Sequence, residues 1–480
     1  MGASAWWRDA VVYQVYPRSF QDSNGDGVGD LPGVISRLDH VAGLGADAVW
    51  LSPFYPSGGA DMGYDATDFT AVDRAFGTID DLDRLVAESH RRGIRVLLDL
   101  IPSHTSIEHP WFRRHPDWYV WSDDGPANNW VAAFGGPAWT RDERTGRWYL
   151  HSFYPEQPDL DWRNPEVREA IGGVIRFWLD RGVDGFRVDA VHGLAKDPQL
   201  RDDPPASEPF ALPLRPELAR FDLVHSLDGP GIGEALGAIR EAAGDAFLVG
   251  EVYLPTRRLR RYLDHLDLVF AFEFLHAPRD AARLAGVIEA AAELERVAWV
   301  LSNHDFPRLQ SRFGHAHARL AAMLLLTLPG PAFIYQGDEI GMVDGPGADP
   351  PHDRAGRDPF RHPMQWEPGP AGGFTDGEPW LPVIDPDERS VAAQDGVEGS
   401  TLELYRSLIA LRARLGPGIA GIESVGQVLR FRRGDHLVAL NLGEREAALP
   451  DGAEVVLSTE TEHRPGRLAA GEGVVAEAGV

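Results

Sequence analysis

Eight short apolar runs alternate with amphipathic stretches along most of this 480-residue chain, and the alternation constrains the fold more than any other feature. The predicted strands span residues 11–16, 47–52, 94–101, 183–189, 247–251, 267–272, 297–302 and 332–335. The predicted helices span residues 31–44, 79–92, 165–181, 232–243, 279–294 and 315–328. Because a strand, a helix and a further strand imply parallel pairing, eight such strands predict a closed α/β barrel, the (β/α)8 or TIM barrel.

Two long stretches and the C-terminal segment depart from this alternation. Residues 105–164 are far longer than a strand-to-helix connection, and residues 341–386 are rich in Gly, Pro and Asp with little periodicity. After a helix predicted at 402–414, alternating runs at 428–432, 436–441 and 454–458 indicate antiparallel strands. We therefore expect a barrel of residues 1–104 and 165–395, an inserted subdomain at 105–164 after the third strand, and a final helix with an antiparallel β-domain at 396–480.

Composition excludes several functional classes. A net charge of −27 argues against nucleic acid or an anionic membrane as a partner, whereas a small neutral substrate is compatible with it. The absence of cysteine excludes disulfides, thiolate catalysis and Cys-ligated zinc. The N-terminal residues lack the apolar segment of a signal peptide and no run of 18 apolar residues occurs, so the expected location is cytoplasmic.

Three acidic residues stand at the carboxyl ends of predicted strands, where a (β/α)8 barrel carries its catalytic groups. Asp189 ends the fourth strand, Glu251 ends the fifth, and Asp305 follows the seventh. Arg187 precedes Asp189 by two residues, so on a strand the two side chains project to the same face. A guanidinium favours the ionised form of a neighbouring carboxylate, as a nucleophilic carboxylate requires. These residues predict an acid-based active site.

Seven short motifs between residues 63 and 366 form a specific set. They are Gly63-Tyr-Asp65, Asp99-Leu-Ile-Pro-Ser-His104, Gln157-Pro-Asp-Leu-Asp161, Gly185-Phe-Arg-Val-Asp189, Val249-Gly-Glu251, Ser302-Asn-His-Asp305 and Arg361-His-Pro-Met-Gln-Trp366. By these motifs the chain resembles the α-amylase superfamily, glycoside hydrolase family 13, and in particular its branch of α-glucosidases and oligo-1,6-glucosidases. The resemblance extends from about Trp7 into the C-terminal domain.

The resemblance implies separate roles for the three acids. Asp189 would be the nucleophile, Glu251 the general acid/base, and Asp305 the acid that holds sugar hydroxyls and stabilises the transition state. The chemistry agrees, since retaining glycosidases need two carboxyl groups only ~5 Å apart and residues that end adjacent strands can meet that spacing. Arg187 would keep Asp189 ionised, while partial burial and neighbouring carboxylates would favour the protonated form of Glu251.

The resemblance also implies a set of substrate-binding side chains, namely Tyr64, Asp65, His104, Arg187, His304, Phe306 and Arg361. Tyr64 is expected to form a stacking floor under the sugar, and the two histidines to donate to its hydroxyls or, alternatively, to pack behind the site. Asp65 and Arg361 are expected to pair and close the pocket around the non-reducing end. That closure favours removal of a terminal glucose. Phe306 is expected on the leaving-group side, as a stacking surface or as a buried side chain.

Two positions depart from the family pattern. Ser103 stands before His104 where the family commonly has asparagine, which offers one more donor. Ala190 follows the nucleophile, where relatives that favour α-1,6 bonds usually carry valine. Because alanine leaves room beside the bond to be cut, it favours α-1,4 cleavage.

The run from Asp22 to Asp30 offers oxygen ligands at alternate positions, a spacing that suits hard cations. The twelfth position is Gly33 rather than glutamate, which excludes an EF-hand. Similar loops in the family bind a structural Ca²⁺ or Mg²⁺, which implies ligands from the side chains of Asp22, Asn24, Asp26 and Asp30 and from the Val28 carbonyl. The alternative is an acidic surface turn without metal. No organic cofactor is expected.

The combined expectation is a retaining exo-acting α-glucosidase that releases glucose from maltose and short α-glucosides. The alternatives on the same scaffold are an oligo-1,6-glucosidase, a sucrose hydrolase, and a glucosyl transferase or isomerase similar to trehalose synthase. A non-catalytic accessory protein of the family is disfavoured, because such members lose one or more of the acids and carry a membrane segment.

Overall fold

The computed structural model describes residues 6–210, 212–449 and 453–477. Eight parallel strands close a barrel in which each strand pairs with its neighbours in chain order and the eighth pairs with the first. Barrel strands 1 to 8 are Val11–Val15, Ala48–Leu51, Arg95–Leu100, Gly185–Val188, Phe247–Gly250, Leu268–Phe270, Val297–Val300 and Ala332–Tyr335. The predicted (β/α)8 barrel is therefore confirmed.

Successive residues of each strand face opposite sides of the barrel wall. On barrel strand 1, Val12 packs into the interior cluster with Trp50, Phe270 and Phe333, whereas Val11 packs into the outer layer under the helices. All are buried, because a parallel barrel is covered on its outside by helices and filled on its inside by side chains. The strands therefore read as continuous apolar runs.

The helices that surround the barrel follow the predicted pattern, with local signals at their ends. The α-helices of five residues or more are Leu31–Ser36, Leu38–Leu44, Ile79–Arg91, Pro110–Arg114, Pro165–Leu179, Ile232–Ala243, Ala281–Ala292, Leu309–Phe313, His315–Thr327 and Thr401–Arg412. Thr78 and Asp81 form a capping box, and Asn164 caps a helix that starts with proline. The helix predicted at 31–44 is divided into two at Arg37, whose Nε donates to the Gln21 amide oxygen (2.6 Å).

Two insertions stand above the carboxyl ends of the strands. The first contains a three-stranded antiparallel sheet of Trp121–Ser122, Trp139–Arg141 and Trp148–Leu150. The second, residues 191–231, was not predicted as an insertion; its regular structure in the described residues is limited to the short turns Val191–Gly193 and Leu218–Arg220. It lacks the strong periodicity by which sequence reasoning finds elements.

The C-terminal residues form the expected antiparallel β-structure. A five-stranded sheet contains Ala420–Val425, Val428–Arg433, His436–Asn441, Gly473–Glu477 and Glu454–Ser458, and a small sheet pairs Ala447–Ala448 with Arg467–Leu468. Arg412 and Arg433 both donate to the Leu328 carbonyl (2.7 and 2.9 Å) and so tie this domain to the barrel. Within the described ranges, none of the helices combines the length and the apolar character needed to cross a bilayer.

Candidate active site

The register of the barrel strands brings the first site residues together. Asp99 on strand 3 lies directly beside Arg187 on strand 4, and Arg187 lies beside Val249 on strand 5. Asp189 and Glu251 each follow the last residue of their strand, and Val188 pairs with Gly250 just before them. The two predicted catalytic acids therefore leave neighbouring strands at the same level of the barrel.

One guanidinium group, that of Arg187, holds three carboxyl groups. Its Nη1 lies 2.6 Å from Asp99 Oδ1 and 2.6 Å from Asp189 Oδ1, and its Nη2 lies 2.9 Å from Glu251 Oε1. The Arg187 side chain is buried, so these charges are screened little by water. Because the two nitrogens belong to one planar group, Asp189 and Glu251 are held close to each other. We call these four residues the Arg187 cluster.

The second oxygen of Glu251 is held by the backbone. Ala190 has a left-handed conformation (φ 44°, ψ 40°), and its N–H donates to Glu251 Oε2 (2.9 Å). A non-glycine residue in this region costs about 1–2 kcal/mol, so surrounding contacts must hold it there. The turn after Asp189 therefore fixes the orientation of the neighbouring acid, a contact that the sequence alone did not indicate.

The Arg187 cluster sets one positive charge against three carboxyl groups. Burial raises the pKa of Asp189 well above its ordinary value; Arg187 opposes this shift, and the charges of Glu251 and Asp99 reinforce it. Burial also raises the pKa of Asp99, to about 6. Arg187 therefore favours the ionised form of Asp189, as expected from the sequence, but it shares its single charge among three buried carboxyl groups, so burial and the neighbouring acids oppose its effect.

Asp305 lies in a second cluster that contains two guanidinium groups. Its Oδ1 accepts from Arg357 Nη1 (2.9 Å) and Arg361 Nη2 (3.1 Å). Arg357 also pairs with Asp61 and with Asp353. Burial raises the pKa of Asp305, but the positive charges of Arg357 and Arg361 outweigh it and hold that pKa below its ordinary range. We call Asp61, Asp305, Asp353, Arg357 and Arg361 the Arg357 cluster.

The expected pair of Asp65 with Arg361 is not formed. Asp65 accepts from the Ser57 hydroxyl (2.6 Å) and from two backbone N–H groups, which occupies its carboxylate within the turn. Arg361 instead donates to Asp305 and to the His304 carbonyl (2.9 Å). The pair that joins these two loops is Asp61 with Arg357, each four residues before the predicted partner. The sequence alone carries no signal that favours the pair of Asp61 and Arg357 over the pair of Asp65 and Arg361.

His304 lies behind Tyr64 rather than in the cavity wall. Its Nδ1 accepts from the Gln14 amide (2.7 Å), so its Nε2 carries the hydrogen and donates to the Tyr64 hydroxyl (2.7 Å). That hydroxyl in turn donates to Asp99 Oδ2 (3.2 Å). The two rings stack at 5.6 Å, and burial lowers the pKa of His304 to about 3. Neutral His304 therefore orients Tyr64, in line with the alternative of a histidine packed behind the site.

His104 does face the cavity. Its Nε2 lies 3.1 Å from the Tyr64 carbonyl and its Nδ1 lies 2.8 Å from the Ser103 hydroxyl. Burial lowers the pKa of His104 to about 4, so the ring is neutral near pH 7. Ser103, one of the two departures from the family pattern, therefore contacts the His104 ring directly and helps to fix its orientation.

A cavity of about 380 Å³ opens at the carboxyl ends of the strands. Its lining includes Asp61, Tyr64, His104, Asp189, Glu251, Asp305, Phe306 and Arg357. The Phe306 and His276 rings pack in a T-shaped arrangement with centroids 4.5 Å apart. His276 Nε2 donates to the Tyr253 hydroxyl (2.9 Å), which in turn donates to the Pro213 carbonyl (3.0 Å). The three predicted catalytic acids therefore share one cavity with an aromatic rim.

The predicted metal loop lies apart from this cavity lining. Asn24 and Asp26 each accept one N–H bond from the residue two positions on (2.9 Å), whereas both oxygens of Asp22 accept two hydrogen bonds each. The Asp30 side chain caps the next helix by accepting from the Gly33 N–H. The fifth predicted ligand, the Val28 carbonyl, belongs to the same loop. In the described ranges, no group of three or more His, Cys, Asp or Glu side chains is arranged to hold a metal. The loop supplies oxygen donors, but Asp22 in this arrangement has no free lone pair.

Comparison with known proteins establishes the family. The model of the α-amylase catalytic domain matches residues 14–416. The chain belongs to the α-amylase family. A second model, a domain of unknown function named DUF3459, matches residues 417–475. The α-amylase family match begins within the first barrel strand and includes the rest of the barrel, both insertions and all three strand-end acids, so the protein is a glycoside hydrolase of this family.

Several named proteins of the α-amylase family are similar to this chain over most of its length. A probable α-glucosidase of Rhizobium meliloti (strain 1021) is 41% identical, over 89% of this chain and 87% of that protein. An oligo-1,6-glucosidase of Halalkalibacterium halodurans is 35% identical, over 96% of this chain and 94% of that protein. The solved structure of the α-glucosyl transfer enzyme XgtA superposes with a TM-score of 0.91 at 37% identity, over 99% of both chains.

Proposed function

We propose that the protein is a retaining exo-acting α-glucosidase that releases glucose from the non-reducing end of maltose and short α-glucosides. The observation that carries the proposal is the placement of Asp189 and Glu251 on the two nitrogens of Arg187 (2.6 and 2.9 Å). Two carboxyl groups at such close range suit double displacement, because an inverting enzyme needs a wider gap for the attacking water.

In the first step, an Asp189 carboxylate oxygen attacks the anomeric carbon, and the glycosidic bond breaks. Glu251 gives its proton to the leaving oxygen, so the aglycone departs as a neutral alcohol. In the second step, Glu251 takes a proton from water, whose oxygen attacks the same carbon and releases Asp189. Asp305, held ionised by two arginines, is suited to bind sugar hydroxyls and the positive charge of the transition state.

The exo mode is supported by the Arg357 cluster. Arg357 joins Asp61, after barrel strand 2, to Asp353, after barrel strand 8, and Arg354 extends this wall by pairing with Glu156 of the first insertion (3.0 Å). A wall closed by ion pairs on this side leaves room for a terminal sugar and obstructs a continuing chain.

The linkage preference and the balance of hydrolysis against transfer belong to the same proposal. Ala190 lines the cavity beside Asp189 and supports an α-1,4 preference, since its small side chain leaves space at the bond to be cut. The likeness to XgtA, described as an α-glucosyl transfer enzyme, supports transfer of glucose to an alcohol as the alternative fate of the glucosyl-enzyme.

The proposal is tested by ¹H NMR of the enzyme with maltose and, separately, with isomaltose. α-Glucose as the first-formed anomer from maltose supports a retaining α-1,4 enzyme. Faster turnover of isomaltose moves the linkage to α-1,6, and a new disaccharide without net glucose moves the reaction to transfer. First-formed β-glucose overturns the retaining mechanism.

We also propose that the loop from Asp22 to Asp30 holds a structural Ca²⁺ or Mg²⁺. The supporting observation is the set of oxygens at alternate positions, of which those of Asn24 and Asp26 each keep a free lone pair. Binding requires Asp22 to give up one of its present hydrogen bonds. A melting temperature that falls on adding EDTA and recovers with excess Ca²⁺ supports the site; an unchanged melting temperature contradicts it.

A further inference from the structure

A second and much smaller cavity, of about 10 Å³, shares no lining residue with the active-site cavity. It is formed by the segments that follow barrel strands 7 and 8 and by the helix Thr401–Arg412. Its volume suits one particle of the size of a water molecule. The lining residues are Leu309, Gln310, Ala318, Asp338, Gly341, Met342, Thr401 and Tyr405. We call this space the Asp338 cavity.

The polar groups that line the Asp338 cavity offer oxygen atoms. Asp338 Oδ1 and Gln310 Oε1 are buried, and neither has a hydrogen-bond partner among the described residues. Thr401 and Tyr405 each add a hydroxyl to the lining. Gly341 leaves the space open, because a Cβ at this position would lie 3.5 Å from Gln310 Oε1 and 3.7 Å from Thr401 Oγ1. The absent side chain and the free oxygens together form a site for a small ligand.

Asp338 and Glu339 are consecutive buried acids whose carboxylates have different surroundings. Glu339 accepts from the Tyr13 hydroxyl (2.7 Å) and lies 2.9 Å from His40 Nε2. Asp338 accepts from the Ser302 hydroxyl through Oδ2, and its Oδ1 faces the cavity without a partner in the part of the chain that the structure describes. A buried carboxylate that keeps its charge requires an ion pair or a bound cation.

Arg308 does not supply this ion pair. Its Nη1 donates to the Gln336 carbonyl (2.7 Å), and within the described ranges its Nε and Nη2 have no hydrogen-bond partner. Burial raises the pKa of Asp338 to about 7, although the Ser302 hydrogen bond and the charge of Arg308 both oppose the shift. A cation beside Asp338 Oδ1 offsets the cost of burying this charge.

We propose that the Asp338 cavity binds one monovalent cation of the size of K⁺, with Asp338 Oδ1, Gln310 Oε1 and the hydroxyls of Thr401 and Tyr405 as ligands. A single carboxylate balances one positive charge. Ca²⁺ takes more oxygen ligands and Mg²⁺ usually keeps several waters, for which this cavity has no room. The site is therefore different in kind from the loop of residues 22–30, which offers several carboxylates.

The proposed ion joins the end of barrel strand 7 to the final helix. Ser302, which Asp338 Oδ2 holds, precedes the turn that carries Asp305. Thr401 and Tyr405 lie on the final helix. Because the four ligands come together only in the folded chain, an ion bound there stabilises the folded state over the unfolded state.

The first experiment compares the melting temperature of the dialysed protein in KCl and in tetramethylammonium chloride, at equal ionic strength and about pH 8. At this pH the Asp338 carboxyl group is mostly ionised, and tetramethylammonium is too large for the cavity. We expect the melting temperature to be higher in KCl by about 2 °C or more. Equal melting temperatures in the two salts overturn the inference.

Variants locate the effect in the Asp338 cavity. Asp338→Asn keeps the shape of the side chain and removes its charge, so we expect the K⁺ effect to disappear. Asp344→Asn is the matched control, because Asp344 belongs to the same loop, accepts from the Arg308 N–H (2.8 Å) and does not line the cavity. Tyr405→Phe removes one ligand and replaces Asp338→Asn if that variant fails to fold. An equal K⁺ effect in the wild type and the cavity variant overturns the inference, as does an equal loss in the cavity variant and the control.

Thallium(I), a heavy ion similar to K⁺ in size and charge, tests the position of the site directly. In a crystal of the protein soaked in thallium(I) acetate, we expect an anomalous-scattering peak between Asp338 Oδ1 and Gln310 Oε1. Density at this point without an anomalous signal identifies a water molecule and overturns the inference. A peak confined to the loop of residues 22–30 overturns it as well. Neither experiment uses catalysis, so both are independent of the proposed α-glucosidase activity.

Discussion

In the two arginine clusters at the floor of the cavity, the pKa values of the acids are shifted in opposite directions. In the Arg187 cluster, one guanidinium is shared by three carboxyl groups, and burial raises the pKa of both Asp189 and Asp99. In the Arg357 cluster, two guanidinium groups meet at Asp305 and hold its pKa below its ordinary range. All of these acids are at least partly buried, so burial by itself does not decide their charge.

The ratio of positive to negative groups explains the difference. When an acid shares its arginine with other acids, the arginine stabilises its ionised form only weakly and the neighbouring negative charges destabilise it. When an acid contacts two arginines, both stabilise its ionised form. The consequence for the proposed reaction is a division of tasks. Protonating Asp189 or Asp99 is easier than protonating a free carboxyl group, whereas Asp305 of the Arg357 cluster keeps a fixed negative charge beside the sugar.

The largest expected effect comes from removing the nucleophile of the Arg187 cluster. We expect Asp189→Asn to lower kcat on 4-nitrophenyl α-glucoside by roughly 10⁴-fold or more, because no glucosyl ester forms on an amide. Steady-state kinetics, together with a melting temperature close to that of the wild type, measure this. Asp245→Asn is the control, since Asp245 is exposed in a helix-to-strand loop. Retention of a tenth of the activity would falsify the assignment.

The second effect separates the two acids of the Arg187 cluster. We expect Glu251→Gln to lower kcat/KM on maltose by about 10²–10⁴-fold, because the leaving sugar then departs without a proton. The loss on 4-nitrophenyl α-glucoside is expected to be smaller, since nitrophenolate leaves without assistance. Parallel kinetics on both substrates measure the contrast. Equal losses on the two substrates would show that Glu251 is not the general acid.

The third effect tests the Arg357 cluster. We expect Arg357→Met to lower kcat/KM on methyl α-glucoside by about 100-fold, because Asp305 then loses one of its two arginines and Asp61 loses its partner. Arg84→Met is the control, since Arg84 is exposed, pairs with Asp81 and does not line the cavity. If both variants lost activity equally, the special role of Arg357 in the site would be refuted.

The smallest effect is a pH shift that sharpens the comparison between clusters. The pKa of Asp189 is raised, and turnover requires its ionised form, so kcat/KM falls as pH drops through that pKa. Asp99→Asn removes a neighbouring negative charge, and Arg187 then contacts two carboxylates instead of three. Both changes stabilise ionised Asp189 and lower its pKa. We therefore expect the acidic limb of the kcat/KM profile to move to lower pH.

The measurement is kcat/KM on methyl α-glucoside across the acidic range, compared with the wild type and with Asp245→Asn. The Arg357 cluster provides the opposite sign, because removing a positive charge in Arg357→Met raises the pKa of Asp305. An acidic limb that stays in place or moves upward in Asp99→Asn would contradict the account of the Arg187 cluster.

Much of this arrangement follows from local sequence. Each barrel strand is a short apolar run bounded by turn residues, and each strand-end acid stands at a fixed offset from its run, so Asp189, Glu251 and Asp305 could be assigned to one rim. Helix boundaries at Thr78 and Asn164 are set by side chains that bond within three residues. Such features depend on neighbours along the chain and are therefore readable from it.

The sequence by itself determined the barrel, the order of its strands and the rim on which the acids lie. Tertiary structure decided which arginine meets which acid, as the pair of Asp61 and Arg357 shows across 296 positions of the chain. It also decided that residues 191–231 line the cavity together with the first insertion, and that burial raises the pKa of Asp189. The physical reason is that periodicity is a local property, whereas ion pairing, burial and cavity shape depend on distances that only the folded chain sets.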